Sequence, residues 1–228
     1  MIRTLKSLAR KVIPGRSRKG TLVYVGMHRG GGFEQIFRRY KRCYGFEANP
    51  ELFKTLEEKF GDCPGVKLFN VAVADHDGEL EFNISSNDGE SSSIGHFSED
   101  WNHFKSGDIA MTSTITVPCI NLCRFLRDEK VRVIDDYVSD IQGFDLEVLK
   151  TLKPLLDAKK IHSITCEVAK DTNIYHDLPD NSEEGFDALL RENYECVAKG
   201  WGVLTDGEFS DVPEDWWEMD CKWRKKPR

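Results

Sequence analysis

The stretch from Thr21 to Pro50 constrains the fold more than any other. Thr21-Leu22-Val23-Tyr24-Val25 is a β-branched run that breaks into Gly26-Met27-His28-Arg29-Gly30-Gly31-Gly32, and residues 33–40 then space their apolar side chains as a helix does. The pattern predicts strand, glycine loop, helix. A second short run, Cys43-Tyr44-Gly45-Phe46, ends on Glu47, and Asn49-Pro50 opens another helix. Glu47 follows Gly26 at close to the ~20-residue offset at which an acid ending the second strand meets a ribose in nucleotide-binding βαβ units. Glycines let the backbone turn sharply and approach a ligand where a Cβ would collide, and a carboxylate can accept hydrogen bonds from both ribose hydroxyls. Loop, offset and terminal acid together point to a nucleoside-type cofactor.

Alternation of strands and helices continues beyond this unit. Residues 51–60 read as a helix stopped by Gly61, residues 66–74 as a third strand, and Asp77-Gly78 as a turn before the alternating residues 79–84. Residues 85–113 are polar and longer than an ordinary connection; with His96, Trp101, His103 and Phe104 among them they suggest a cover or binding surface. Residues 115–120 form a strand that Pro118 assigns to an edge, and Asn121 caps a helix over 122–128. Residues 131–139 form the fourth core strand and deliver Asp140 at its carboxyl end. A helix over 146–156, a fifth strand over 161–168 and a helix over 182–193 follow, and residues 194–204 supply two closing strands around Gly200-Trp201-Gly202. Such alternation predicts a parallel α/β sheet whose ligands sit outside the carboxyl ends of the strands. A basic segment over 1–20 followed by one domain over 21–228 is the expected organisation, since 228 residues suit a single α/β domain.

Charge and cysteine content narrow the function classes. A net charge of -7 and a pI near 5.5 argue against a dedicated nucleic-acid binder. No apolar run approaches the ~20 residues that cross a bilayer. Seven cysteines, an odd number without a secretory signal, fit reduced thiols in the cytoplasm. Cys119 and Cys123 lack a second ligand pair, so no metal site is expected. Residues 1–20 carry Arg3, Lys6, Arg10, Lys11, Arg16, Arg18 and Lys19 with no acid, and could pack outside the domain or rest peripherally on anionic lipid. The cationic, aromatic tail from Trp216 reads as a docked terminal segment. Oligomeric state is not encoded in any recognisable pattern.

Several segments, in order, resemble the FkbM-type S-adenosylmethionine-dependent methyltransferases of the class I fold. They are the loop Tyr24-Val25-Gly26-Met27-His28-Arg29-Gly30, Phe46-Glu47-Ala48-Asn49-Pro50, Asn70-Val71-Ala72-Val73-Ala74-Asp75-His76-Asp77-Gly78, Ser91-Ser92-Ser93 and Thr116-Val117-Pro118. The block Val138-Ser139-Asp140-Ile141-Gln142-Gly143-Phe144-Asp145 completes the series. The chain departs from the family pattern at Tyr24, where an acid is usual, at Val138 for lysine, and at Gln142 for glutamate.

The resemblance implies a Rossmann-like, mostly parallel seven-stranded sheet with helices on both faces. It implies S-adenosyl-L-methionine as cofactor and methyl transfer to a hydroxyl of a sugar, glycolipid or small-molecule acceptor. Carried over by position, the backbone at Gly26, Met27 and Gly30 would hold the methionine part. Glu47 would meet the ribose, Asn70, Val71 and Ala72 the adenine region, and Asp140 the methyl or amino group, with Ala48 also among the cofactor-binding positions. A hydroxyl nucleophile has a high pKa and needs a nearby base, for which Asp140, Glu167 and His28 are the candidates. Two rival readings carry different predictions: a cofactor-binding scaffold without turnover, motivated by Tyr24 and Gln142, and a nicotinamide-dependent dehydrogenase. The second lacks its Gly-x-Gly-x-x-Gly, since His stands at position 28.

Overall fold

The computed structural model describes residues 18–101, 107–171, 174–201, 210–214 and 216–227. The basic segment before Arg18, together with His103, Phe104 and Gly202, lies outside them. Two sheets are present. Seven strands build the larger one: β1 (Lys19–Val25), β2 (Tyr40–Phe46), β3 (Val66–Phe69), β7 (Ile134–Ser139), β8 (Ile161–Ala169), β9 (Tyr194–Lys199) and β10 (Glu218–Lys225). Their order is β3-β2-β1-β7-β8-β10-β9, parallel from β3 to β8, with β10 antiparallel to both its neighbours. Strands β4 (Ala72–Ala74), β5 (Gly78–Ser85) and β6 (Met111–Asn121) form a separate sheet in the order β4-β6-β5.

Period-two alternation decides which helices cover which face. In β1, Val23 and Val25 join the larger core with α3 (Leu122–Asp128), α4 (Asp145–Thr151), α5 (Lys153–Asp157) and α6 (Glu183–Leu190). Leu22 and Tyr24 point the other way and pack with α1 (Gly31–Ile36) and α2 (Pro50–Phe60) through Phe33, Leu56 and Phe60. Helix starts follow their caps. Asn49 Oδ1 accepts from the backbone N–H of Glu51 at 2.9 Å with Pro50 at the first helical position, and Asn121 Oδ1 accepts from Arg124 N–H at 3.0 Å.

Four expectations are corrected. The strand expected over 66–74 is two strands in different sheets, because Asn70 turns away from the ladder and its Nδ2 donates to the carbonyls of Glu47 (2.9 Å) and Ala48 (3.2 Å). The helix over 146–156 divides into α4 and α5 next to Pro154, which has no N–H for a helix interior. Pro118 lies in the middle strand of its sheet, not at an edge. It is tolerated because the ladder to β4 begins only at Cys119, so at Pro118 strand β6 has β5 alone as partner.

The fourth correction concerns the end of the chain: the second closing strand is the tail itself, inserted between β8 and β9. Met219, Cys221 and Trp223 alternate inward, and Trp223 stacks on Phe186 of α6 at 5.2 Å. Such a pair contributes about 0.5–1.5 kcal/mol beyond burial and pins the tail in place.

Candidate active site

A cleft with an empty volume of about 640 Å³ opens at the carboxyl ends of β1, β2 and β7, where the strand order reverses between β1 and β7. Val71, Val73, Phe82, Ile94 and Phe144 make an apolar wall, and Gly26, His28, Glu47 and Asp140 bring polar groups to the floor.

Gly26 is where the backbone requires glycine. Its φ is +76°, and a Cβ there would stand 1.8 Å from the carbonyl oxygen of Asp140. The two loops are in backbone contact, fastened by Gly26 N–H donating to the Phe46 carbonyl (3.0 Å) and Asp140 N–H to the Val25 carbonyl (3.1 Å). Glu47 is 6 % exposed and each of its carboxylate oxygens accepts one backbone N–H, from His28 (2.7 Å) and from Asn49 (2.9 Å). These bonds fix the direction of the carboxylate and leave lone pairs for ligand hydroxyls. Burial raises its pKa to about 7, against the lowering effect of the two backbone donors.

Of the residues expected to hold the cofactor, Gly26, Glu47, Ala48, Val71, Ala72 and Asp140 line the cleft. Met27, Gly30 and Asn70 do not line it. The Met27 side chain is buried against Gly45, and its N–H donates to the Phe46 carbonyl at 3.2 Å. Gly30 starts α1 with φ +80°, pressed against Leu56 and Phe60, and Asn70 holds the loop after β2 from behind. The polar stretch after β5 lies over the opening, contributing Gly89, Glu90, Ser92 and Ile94. Its serines are internal: Ser93 is fully buried and Ser92 Oγ accepts the N–H of Ser85 at 3.1 Å. Trp101 belongs to a small core with Phe97, Ile109, Ile174 and Trp217.

The three base candidates fall in two places. Asp140 is open to solvent on the cleft floor, yet the protein crowded around it raises its pKa, with the Gln142 amide and the charge of His28 pulling the other way. His28 reaches the Asp88 carbonyl with Nε2 at 3.0 Å; a carbonyl only accepts, so Nε2 carries the proton. Glu167, near the end of β8, lies away from this cleft and lines a second one with Gly143, Tyr175, Asp180, Asn181 and Glu218. Gln142 joins the two clefts, its Nε2 donating to Asp140 Oδ1 (3.0 Å) and Glu167 Oε2 (2.6 Å). Sequence reasoning missed the second cleft because its residues come from four separated segments. It also missed Asp145, fully buried, whose carboxylate accepts from Ser139 Oγ (2.5 Å) and the Ile141 N–H (3.2 Å) and so shapes the Asp140 loop. Among the described residues, no group of His, Cys, Asp and Glu is arranged to hold a metal ion, and no helix is long and apolar enough to cross a membrane.

Strand order, the antiparallel β10 and a cleft at the switch point define a class I methyltransferase fold. Within that class the chain belongs to the family of the methyltransferase FkbM domain, whose model matches residues 25–191. Methyltransferase FkbM from Methylobacillus flagellatus KT aligns over 90% of this chain and 43% of its own, with TM-score 0.52 and 12% identity. This chain therefore spans less than half the length of that protein. The putative methyltransferase SMU.1697c from Streptococcus mutans, in complex with SAH, aligns over 92% of this chain and 90% of its own, with TM-score 0.45 and 8% identity. The N-methyltransferase NodS from Bradyrhizobium japonicum WM9, in complex with S-adenosyl-L-homocysteine, covers 92% and 79%, with TM-score 0.45 and 9% identity. No curated protein matches the sequence.

Two departures from the family pattern turn out to be neighbours. Tyr24 and Val138 are register partners on β1 and β7, buried with Phe33 on the α1 and α2 face and outside the cleft. Where the resemblance implies an acid and a lysine, this chain has a buried contact of Tyr24 with Val138.

The acids at this end of the sheet have a measurable consequence. Burial raises Glu47, Asp145 and Asp220 to about 7 and Glu218 to about 8, above the ~4 of an unfolded carboxyl. From about pH 4 to pH 8 the folded state thus holds more protons than the unfolded one, and stability is lost as pH rises through that window. The melting temperature of the ligand-free protein should fall from pH 5 to pH 8.5. A rise over that interval would contradict the burial of these groups.

Proposed function

We propose that the protein is an S-adenosyl-L-methionine-dependent methyltransferase that methylates a hydroxyl on a sugar, glycolipid or small-molecule acceptor. The observation that carries this reading is Glu47: a buried carboxylate, aimed by two backbone N–H groups, on the floor of a cleft at the switch point. Bound there, the cofactor supplies an electrophilic methyl group. Glu47 would accept from the ribose hydroxyls, the Val71, Phe82 and Phe144 wall would cover the adenine, and the bare backbone at Gly26 would permit close approach of the remainder. The second cleft would receive the acceptor, with Asn181, Tyr175 and the carboxylates of Glu167 and Glu218 offering both donors and acceptors to hydroxyls. Asp140, between the clefts, would take the proton of the attacking hydroxyl, Glu167 would align that group, and His28 would hold the cover in place through Asp88.

The net charge of -7 favours a glycan or small molecule over nucleic acid as acceptor. All seven cysteines are unpaired, which suits a reducing compartment such as the cytoplasm. The scaffold alternative drew on Tyr24 and Gln142; Tyr24 lies away from the cleft, so only Gln142 bears on it. A labelled-methyl transfer screen across hydroxylated sugars, glycolipids and small molecules separates the readings. Label in a hydroxyl-bearing product supports the enzyme, whereas cofactor binding with no transfer to any of them makes the protein a scaffold.

A further inference from the structure

Gln142 lines the first cleft, while its neighbour Gly143 and its hydrogen-bond partner Glu167 line the second. Gln142 is 7 % exposed and its backbone takes φ +55°, in the left-handed region where a non-glycine residue is held only if its surroundings insist. They do so from both sides. Ser93 Oγ donates to the Gln142 carbonyl at 2.7 Å, and Gly143, at φ +99°, lies so near the Tyr175 ring and Leu178 that a Cβ would come within 2.9 Å of each. The amide is fully used: Nε2 gives one hydrogen to Asp140 and one to Glu167, and Oε1 accepts from Tyr175 Oη at 3.4 Å.

We propose that Gln142 is the positioning residue of this junction, its amide nitrogen holding Asp140 toward the cofactor cleft and Glu167 toward the acceptor cleft. Both then present acceptor oxygens where the two bound molecules meet. The meaning for catalysis rests on the methyltransferase reading; the geometry does not. An amide suits this task because two carboxylates at one point repel each other, and a neutral double donor relieves that repulsion without depending on pH. A glutamate here would add a third acid and remove both donors. The titratable groups facing the pair are His28 from the glycine loop, Glu90 from the segment over the cleft, Asp145 from α4, Tyr175, and Glu218 and Asp220 from β10. Most of these are acids, so the Gln142 hydrogens are a principal influence favouring the ionised form of Asp140.

The test uses carboxyl-¹³C-labelled protein, with the Asp140 resonance assigned through Asp140→Asn, and follows titration in wild type, Gln142→Met and Gln142→Glu. Loss of a donor to a charged group raises proton affinity about tenfold. The Asp140 midpoint should therefore move up by about one pH unit in the methionine variant and by at least as much in the glutamate variant, which keeps the shape should the first fail to fold. Unmoved midpoints in a folded variant, whatever its melting temperature, would make Gln142 a packing residue and overturn the proposal. Calorimetry with S-adenosyl-L-homocysteine on the same samples keeps the two claims apart: a protein that fails to bind it defeats the methyltransferase reading and leaves the titration result standing.

Discussion

Asp140→Asn should lower the single-turnover rate of methyl transfer by roughly 100- to 10,000-fold, the usual contribution of a positioned base, while the melting temperature barely moves. The side chain is open to solvent on the cleft floor, so folding draws little from it. Its backbone does the structural work: the N–H donates to the Val25 carbonyl and the carbonyl packs on Gly26. The adjacent helix is served by a different side chain, Asn181, whose Oδ1 accepts the Leu146 N–H at 2.9 Å, which removes helix capping as a competing role for Asp140. Asparagine keeps shape and volume and removes charge and basicity. It also turns an acceptor into a mixed group facing the Gln142 donor, so the loss should exceed that of a neutralised bystander. Near wild-type turnover in the variant would leave Asp140 without a part in proton transfer.

How much of this was legible in the sequence depends on how local each signal is. The β1 to β2 unit was readable because its parts lie within thirty residues and each has a local cause: a β-branched run, glycines where the backbone turns, and Asn49-Pro50 at a helix start. Glu47 could be placed at a strand end by offset alone. Which residues line the cleft was not readable, since Met27 and Asn70 sit in the right segments but outside its lining.

Long-range pairing hid the rest. Strand β10 was obscured because its other face carries Asp220 and the buried Lys222 and its partners lie up to some sixty residues earlier in the chain. The meeting of Gln142 with Glu167, and the pairing of Tyr24 with Val138, exist only in the register of neighbouring strands.

Glu47 carries the second large effect. Replacing it by alanine should weaken cofactor binding by about 1 to 3 kcal/mol, roughly 5- to 150-fold, because ligand hydroxyls lose a buried acceptor. The backbone N–H groups of His28 and Asn49 lose theirs as well, so some melting temperature is lost together with affinity. The comparison belongs at pH 8, above the pKa of about 7, where the wild-type carboxylate is ionised.

Calorimetric titration of the ligand-free protein with S-adenosyl-L-homocysteine, wild type beside Glu47→Ala at that pH, tests the central claim most directly. The expected result is saturable binding at one site per chain in wild type and an affinity lower by the stated factor in the variant. No binding by wild type, or equal affinity in both proteins, would contradict a cofactor site built on Glu47.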